Sequence, residues 1–232
     1  MQILGRRNCV LCGASSDQDL CESCDIHLPQ LPDNQCPVCL WPVSTADVCG
    51  ACISKPPAYT RTIAALPYSF PVDALIQSLK YQTNLAIAPI LANLLIKQLK
   101  TLKLLPDIII PMPLHPIRLR ERGFNQAMEI SRYVSAQMRI TLLPDSCSRI
   151  KHTPPQTGLP WKDRQKNIRK AFSCKMDFSG KHVALVDDVM TTGATLNELA
   201  KVLRQQGAYE ISNWVIARTL PEKDQINSFT LK

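Results

Sequence analysis

Short apolar runs alternate with amphipathic segments along the chain after residue 60, and this order predicts an α/β fold. Residues 107–111, which contain three consecutive isoleucines, and the apolar run 183–186 are the clearest strand signals. Helices are expected where apolar residues recur every three or four positions, as in residues 126–138. The predicted strands are 61–68, 107–111, 140–143, 183–186 and 211–217, and the predicted helices are 72–82, 87–102, 126–138 and 194–206. This alternation implies a parallel sheet with right-handed crossovers.

The first 55 residues carry a different pattern, in which cysteines recur in C-x-x-C pairs. The pairs are Cys9/Cys12, Cys21/Cys24, Cys36/Cys39 and Cys49/Cys52. Two cysteines at this spacing can direct both thiolates at one ion, and four thiolates form a tetrahedral zinc site. Two structural zinc ions are therefore predicted. Sequential pairing is favoured over an interleaved arrangement because shorter loops cost less to close. A redox dithiol or disulfide cluster is the alternative. His27 could replace a ligand, but four complete cysteine pairs favour an exposed histidine.

Pro56 and Pro57 mark a linker after the last of these cysteines, and they divide the chain into two predicted domains. Residues 1–55 form a double zinc ribbon, and residues 56–232 form the α/β domain. Metal binding is expected to supply most of the folding free energy of the first domain, which has few large apolar residues. Acidic residues outnumber basic ones there, and Trp41 is its obvious stacking aromatic. Protein docking and a purely structural role therefore stand beside nucleic-acid binding.

Composition adds a charge preference and a predicted location. The chain has 27 Lys and Arg against 19 Asp and Glu, a net charge of +8, which favours anionic ligands. No signal peptide is predicted. The most apolar segment, residues 85–99, is interrupted by Pro89, Asn93 and Lys97 and is shorter than the ~20 residues of a membrane helix. We expect a cytoplasmic protein without membrane insertion.

Residues 183–195, VALVDDVMTTGAT, join an apolar strand to two carboxylates and a small-residue loop. Asp187 and Asp188 are expected to leave the strand at its carboxyl end, where open α/β sheets bind ligands. The helix start beyond the loop favours an anion, to which threonine hydroxyls and the Gly193 backbone add donors. The carboxylates suit sugar hydroxyls or a divalent metal carried by the ligand. Together these features describe a ribose 5-phosphate site. Carboxylates that only cap the helix are the alternative.

The sequence PMPLHPIRLRERGFNQ follows the isoleucine-rich strand and places three arginines on a predicted loop. Arg118, Arg120 and Arg122 alternate along it, and guanidinium groups at the end of a strand suit a polyanion such as pyrophosphate. A solvated basic loop is the alternative. His115 could act as an acid or base, although a histidine beside two prolines is more often structural.

Residues 149–170 hold seven basic residues against one acid, Asp163. Long polar segments between strands are often lids over an active site. A solvated surface helix is one alternative. A track for nucleic-acid phosphates is another, with Trp161 and Phe172 available for stacking.

These motifs, in this order, resemble the ComF family of phosphoribosyltransferase-like proteins, which are linked to natural competence and use of external DNA. The resemblance runs over about residues 9–219. It includes the four C-x-x-C pairs, P-x-P-L-H…R-x-R-x-R-G-F-N-Q, T-x-x-Q…R-x-x-N…A-F and the acidic-pair loop. The last motif resembles the site for 5-phosphoribosyl 1-pyrophosphate (PRPP) in type I phosphoribosyltransferases. The implied fold is a parallel sheet flanked by helices, with a hood, after a small zinc-ribbon module.

The resemblance also implies roles for individual residues. Asp187 and Asp188 would be the catalytic pair that holds the ribose hydroxyls. The 5-phosphate would lie against Thr191, Thr192, Gly193, Ala194 and Thr195. The pyrophosphate side, with Mg²⁺, would be formed by Arg118, Arg120, Arg122 and Lys80. The hood would include Thr153, Gln156, Arg164 and Asn167.

Two main functions fit this picture, and a regulator that uses the same fold and responds to a separate effector is a third. One is phosphoribosyl transfer from PRPP to an acceptor that the sequence does not identify. The other is a non-catalytic DNA- or protein-binding adaptor on the same scaffold. The resemblance implies PRPP as ligand, and single-stranded DNA and competence proteins such as a helicase as partners.

Overall fold

The central feature of the computed structural model, which describes residues 7–45, 47–152 and 168–221, is a five-stranded parallel sheet. The strands are β1 (Arg7–Asn8), β2 (Ser15–Ser16), β3 (Arg61–Pro67), β4 (Ile108–Pro111), β5 (Thr141–Leu142), β6 (Cys147–Arg149), β7 (Phe172–Cys174), β8 (His182–Met190) and β9 (Glu210–Arg218). The sheet order is β3-β9-β8-β4-β5, and each neighbouring pair is parallel. All five strands expected from the apolar pattern are present, which confirms the α/β prediction.

Helices cover both faces of this sheet. They are α1 (Glu22–Ile26), α2 (Gly50–Ser54), α3 (Val72–Tyr81), α4 (Ile87–Leu99), α5 (Pro116–Arg122), α6 (Gln126–Met138) and α7 (Ala194–Gln205). The four predicted helices correspond to α3, α4, α6 and α7. No helix among the described residues combines the length and apolar character that crossing a bilayer requires.

The sheet separates two layers of the core, and successive side chains of β8 belong alternately to one layer and the other. Ala184 and Val186 pack into the layer that contains α3, α4 and α6. Val183 and Leu185 pack into the opposite layer, which contains α7. This follows from the strand geometry, in which successive side chains point to opposite faces. Because both faces of the sheet are covered, residues 183–186 of the strand are all apolar.

The chain reverses its direction across the sheet between β4 and β8. From β4 it continues through α5 and α6 to β5 on one side, and from β8 it continues through α7 to β9 on the other. Such a switch point leaves a crevice at the carboxyl ends of the two strands, and this is where ligands bind in open α/β sheets.

Two local predictions were wrong at this edge. The strand that begins with the 183–186 run continues to Met190, so Asp187 and Asp188 lie within β8 and not beyond it. Parallel pairing of Asp187 with Val215 and of Met190 with Arg218 extends the strand. The arginine segment is the helix α5, not a loop.

The cysteine-rich segment shares its apolar contacts with the sheet domain. Cys9, Leu20 and Leu28 belong to the core layer of α4, and Leu40 belongs to the layer of α7. The Lys97 ammonium on α4 also lies 2.6 Å from an Asp25 carboxylate oxygen. The segment is therefore packed against both layers of the core.

Cys147 and Cys174, the two cysteines outside the C-x-x-C pairs, form a disulfide between β6 and β7. The two residues are directly opposite each other in this antiparallel pair. The sequence pattern contained no signal for this link, because the cysteines lie 27 residues apart.

Candidate functional site

A cleft of about 500 Å³ opens at the switch point between β4 and β8. The predicted site residues that line it are Lys80, Arg118, Arg122, Asp187, Asp188, Thr191, Thr192, Gly193, Ala194 and Thr195. Arg120 is exposed and lies outside this lining. The residues assigned to the hood lie outside the described part of the chain; they are Thr153, Gln156, Arg164 and Asn167.

The two carboxylates at the end of β8 differ in their surroundings. Asp188 is 7% exposed, and its Oδ2 lies 2.8 Å from the Lys80 ammonium. Asp187 accepts a hydrogen bond from the backbone N–H of Asp188 at 2.9 Å. Among the described residues, only Asp188 of the two has a lysine as its direct ion-pair partner, and α3 supplies that lysine.

Burial and neighbouring charges shift the pKa values of Asp187 and Lys80. Burial raises the pKa of Asp187 to about 7, and the negative charge of Asp188 adds to the effect, while Lys80 and Arg149 oppose it. Burial favours neutral Lys80, but the Asp188 carboxylate outweighs it and raises the lysine pKa. Lys80 and Asp188 are a charged pair, whereas Asp187 titrates near neutrality. Polar hydroxyl groups of a ligand are suitable donors to both carboxylates.

The threonine loop (residues 191–195) leads from β8 into α7. The first turn of a helix leaves backbone N–H groups without intrahelical partners, and its dipole favours an anion. Thr192 Oγ1 accepts a hydrogen bond from the N–H of Ala194 at 3.2 Å, which holds the loop at the helix start. Gly193 precedes the helix with φ +74°, in the left-handed region.

Gly193 also lies where a side chain would collide with its neighbours. An added Cβ would be 2.7 Å from Met190 Cε and 2.9 Å from the hydroxyl of buried Tyr59. We expect Gly193→Ala to lower the free energy of unfolding by about 2–3 kcal/mol, because it adds this contact to the left-handed backbone strain. Urea denaturation measures the loss.

The matched control is Gly180→Ala. Gly180 has φ +70°, and an added Cβ would have no atom within 4 Å. This variant should lose about 1 kcal/mol from backbone strain alone. Equal losses in the two variants would contradict the close approach at Gly193.

Two of the three arginines of α5 border the cleft, and the third does not. Arg118 and Arg122 are one turn apart and share the face that borders the cleft, whereas Arg120 lies two residues from each and is exposed. Arg122 donates a hydrogen bond to Gln126 Oε1 at 2.8 Å, and its guanidinium lies 5.8 Å from the centre of the Tyr81 ring. The helix therefore offers two cationic side chains to a ligand.

His115 is the N-cap of α5. Its Nδ1 accepts a hydrogen bond from the N–H of Ile117 at 3.3 Å. Desolvation and the nearby charges of His152, Arg149 and Arg120 lower the pKa of His115. These observations favour the structural interpretation of this histidine.

Three further residues line the cleft; from the sequence, Arg149 and Tyr81 were not assigned to the site, and Asn125 lies in the 118–126 segment that the resemblance assigned to the pyrophosphate side. Arg149 enters from β6, close enough to Asp187 to affect its pKa, and its guanidinium lies 5.8 Å from the Phe172 ring. Asn125 donates to the Met112 carbonyl at 3.0 Å and so connects the start of α6 to the end of β4. Tyr81 borders the opening. The sequence signal for Arg149 was its position at the edge of the basic segment, and Asn125 belongs to the R-x-R-x-R-G-F-N-Q motif.

The cysteines form two clusters outside the cleft, and their grouping is sequential. The first tetrad is Cys9, Cys12, Cys21 and Cys24, and the second tetrad is Cys36, Cys39, Cys49 and Cys52. Within each tetrad all sulfur atoms lie within 4.8 Å of one another. The Cys12–Cys21 and Cys39–Cys49 sulfur separations are 3.7 and 3.6 Å. Zn–S bonds of about 2.3 Å in a tetrahedron place sulfurs about 3.8 Å apart. Both donor sets therefore fit zinc.

Each tetrad contains one thiol with a lowered pKa, whereas the pKa is raised to about 12 at Cys24 and to about 11 at Cys39. Burial opposes ionisation of Cys9, but the backbone N–H groups of Cys21, Cys12 and Leu11 outweigh it and lower the pKa of this thiol to about 6. The corresponding balance lowers the pKa of Cys36 to about 7. Thiolates are the form that binds zinc. His27 instead has its Nδ1 2.7 Å from the Ser23 carbonyl, and it belongs to neither tetrad.

Similarity to known proteins extends over most of the chain. The family model described as phosphoribosyl transferase domain matches residues 86–227. Competence protein F of Haemophilus influenzae is 38% identical over 208 residues, covering 86% of this chain and 90% of that protein. DNA utilization protein YhgH of Escherichia coli K12 is 34% identical, covering 80% and 84%. Competence protein ComFC of Streptococcus pneumoniae is 24% identical, covering 90% and 99%.

Proposed function

The chain belongs to the phosphoribosyl transferase domain family and, within it, to the ComF family of competence protein F and YhgH, and from this we propose that its cleft binds PRPP with Mg²⁺. One observation carries the proposal. The switch-point cleft brings together a helix start, a carboxylate pair and two arginines on one helix face. These are the complementary groups for a ligand with a phosphate, a diol and a pyrophosphate.

Each part of PRPP has a partner of suitable chemistry. The threonine loop and the start of α7 would take the 5-phosphate. Asp187 and Asp188 would accept hydrogen bonds from the ribose hydroxyls. Arg118 and Arg122 would pair with the pyrophosphate, whose negative charge Mg²⁺ further neutralises. The Lys80 ammonium, paired with Asp188, is also close enough to Asp187 and Arg122 for their charges to affect its pKa.

Phosphoribosyl transfer is the activity that this arrangement supports best. An acceptor would attack the anomeric carbon, the bond to pyrophosphate would break, and the arginines would stabilise the departing anion. The names of the relatives suggest that the reaction or the bound ligand serves the uptake or use of external DNA. Release of pyrophosphate during a screen of acceptors would distinguish a transferase from a PRPP-binding adaptor.

The arginines of α5 provide the test of ligand placement. Arg118→Met and Arg122→Met should each weaken PRPP affinity by about tenfold or more, because each removes a charge-assisted hydrogen bond worth about 1.5–3 kcal/mol. Isothermal titration calorimetry with PRPP and Mg²⁺ measures the change.

Arg120→Met is the control, since it removes the same charge from the exposed side of the helix. Its affinity should stay within about twofold of wild type, because exposed charges contribute little. If all three variants lost affinity equally, binding would reflect the general positive charge of the helix and not this cleft.

A further inference from the structure

Arg218, the last residue of β9, is buried beneath the start of the threonine loop. It is 3% exposed, and its guanidinium donates to four backbone carbonyls. Nη1 donates to Met190 at 3.2 Å, to Thr219 at 2.6 Å and also to Thr191. Nε donates to Cys39 at 2.8 Å. The side chain therefore connects the end of β8 to Cys39, which lies 179 positions before Arg218 in the chain.

This distant partner belongs to the second tetrad. The Cys39 sulfur is one of its four possible metal ligands, and the Cys39 carbonyl is the acceptor for Arg218. The Arg218 guanidinium also lies 6.0 Å from the centre of the Trp41 ring. Thr62 of β3 donates to the neighbouring Val38 carbonyl at 2.7 Å. The turn that carries Cys39 is thus held against the strands that end beside the cleft.

Charge explains why the second tetrad matters for Arg218. Among the described residues, no carboxylate lies within ion-pair distance of this buried guanidinium. A buried charge needs compensation, and here it comes from carbonyl dipoles. A zinc ion with four thiolates carries a net negative charge, so metal binding adds compensation on the Cys39 side.

We propose that Arg218 is a positioning residue that couples metal binding in the second tetrad to the conformation of the threonine loop. With the metal bound, the turn at Cys39 is fixed, and Arg218 holds the carbonyls of Met190 and Thr191 in place. The backbone N–H groups of the loop are then preorganised for a phosphate. The inference rests on the proposed PRPP site. Coupling between two sites is reciprocal, so phosphate binding also stabilises the metal in the second tetrad.

Substitution of Arg218 tests the first half of this coupling. Arg218→Met should weaken PRPP affinity by about tenfold, within the usual range of coupling between sites. Arg218→Lys should give an intermediate affinity, because an ammonium cannot reproduce the planar fork of donors. Calorimetric titration with PRPP and Mg²⁺ measures both.

Arg204→Met is the matched control. Arg204 also donates to backbone carbonyls, those of Ala58, Ala208 and Tyr209, but it does so at the C-terminal end of α7. Its loss should lower stability while PRPP affinity stays within about twofold of wild type. An equal loss of affinity in both variants would mean that general destabilisation, and not the link to the loop, is responsible.

The reciprocal measurement uses the wild-type protein and therefore does not depend on the folding of any variant. Zinc transfer to a chromogenic chelator is followed with and without PRPP. One of the two zinc ions should leave about fivefold or more slowly when PRPP is bound, and this protection should be absent in Arg218→Met. Unchanged release of both ions, or wild-type PRPP affinity in Arg218→Met, would overturn the inference. Wild-type protein that binds no PRPP would overturn the proposed function itself.

Discussion

Loss of metal from the second tetrad is expected to destabilise the whole protein and not only its cysteine-rich segment. Cys36→Ser should lower the melting temperature by about 10 °C or more, and a strong zinc chelator should do the same to wild type. Zinc binding contributes about 10–16 kcal/mol to the folding of small zinc peptides, which is comparable to the net stability of an entire domain. Differential scanning calorimetry provides the measurement.

Contacts between the second tetrad and the sheet domain explain why loss of the metal would destabilise the whole protein. Cys36 is completely buried, and Leu40, four residues later, packs in the core layer of α7 with residues of β8. Arg218 adds the polar link to the same turn. Ser44→Ala is the control, since Ser44 is exposed in the same segment. If Cys36→Ser and Ser44→Ala melted at the same temperature, the tetrad would not be a structural metal site.

Neutralising both carboxylates of β8 is expected to abolish most PRPP affinity while the fold is retained. At pH 8, where Asp187 with its pKa of about 7 is ionised, Asp187→Asn/Asp188→Asn should weaken binding by about 100-fold or more, because each charged acceptor contributes about 1.5–3 kcal/mol to a hydrogen bond. Asparagine keeps the shape of aspartate, so the loss reports on charge. The change is measured by calorimetric titration, with exposed Asp145→Asn as the control.

The single variant Asp187→Asn adds a stability readout to this prediction. The folded-state pKa of Asp187, about 7, lies above the ordinary value for an aspartate, so ionisation of this group costs stability as the pH rises from about 4 to 7. Replacement by a neutral amide removes that cost. The variant should therefore be at least as stable as wild type at pH 8 although it binds PRPP more weakly. Lower stability together with weaker binding would point to a structural role instead.

The parts of the fold that were predicted correctly have strong local signals. The helix α6 begins after Asn125, whose side chain accepts from the N–H of Met128, and its apolar face contains Ile130 and Val134. Periodicity and capping therefore coincide at the same residues. The isoleucines of β4 were equally clear, because a strand buried on both faces has few polar positions.

The errors arose where two local signals conflict or where a tertiary contact overrides a local preference. The helix α5 has a proline at its first position and Gly123 at its end with φ +81°, which are helix boundary signals, but the alternating arginines resembled a loop. Aspartates are unfavourable in strands, so the sequence indicated that β8 ends before Asp187. Pairing with β9 overrides that preference and extends β8 to Met190.

Arg218 could not be assigned from the sequence for a different reason. Its acceptors are Cys39, Met190, Thr191 and Thr219, and the first of these is 179 residues away. A lone arginine after an apolar strand is usually an exposed residue. Its role depends on the three-dimensional arrangement of two distant turns, which no local pattern encodes.

The central claim is that the carboxylates of β8 and the threonine loop form one PRPP site. The most direct test is a calorimetric titration of wild-type protein and Asp187→Asn/Asp188→Asn with PRPP in the presence of Mg²⁺. We expect saturable binding at one site per chain in wild type and an affinity about 100-fold lower in the double variant. Equal affinity in the two proteins, or no saturable binding to wild type, would contradict the account.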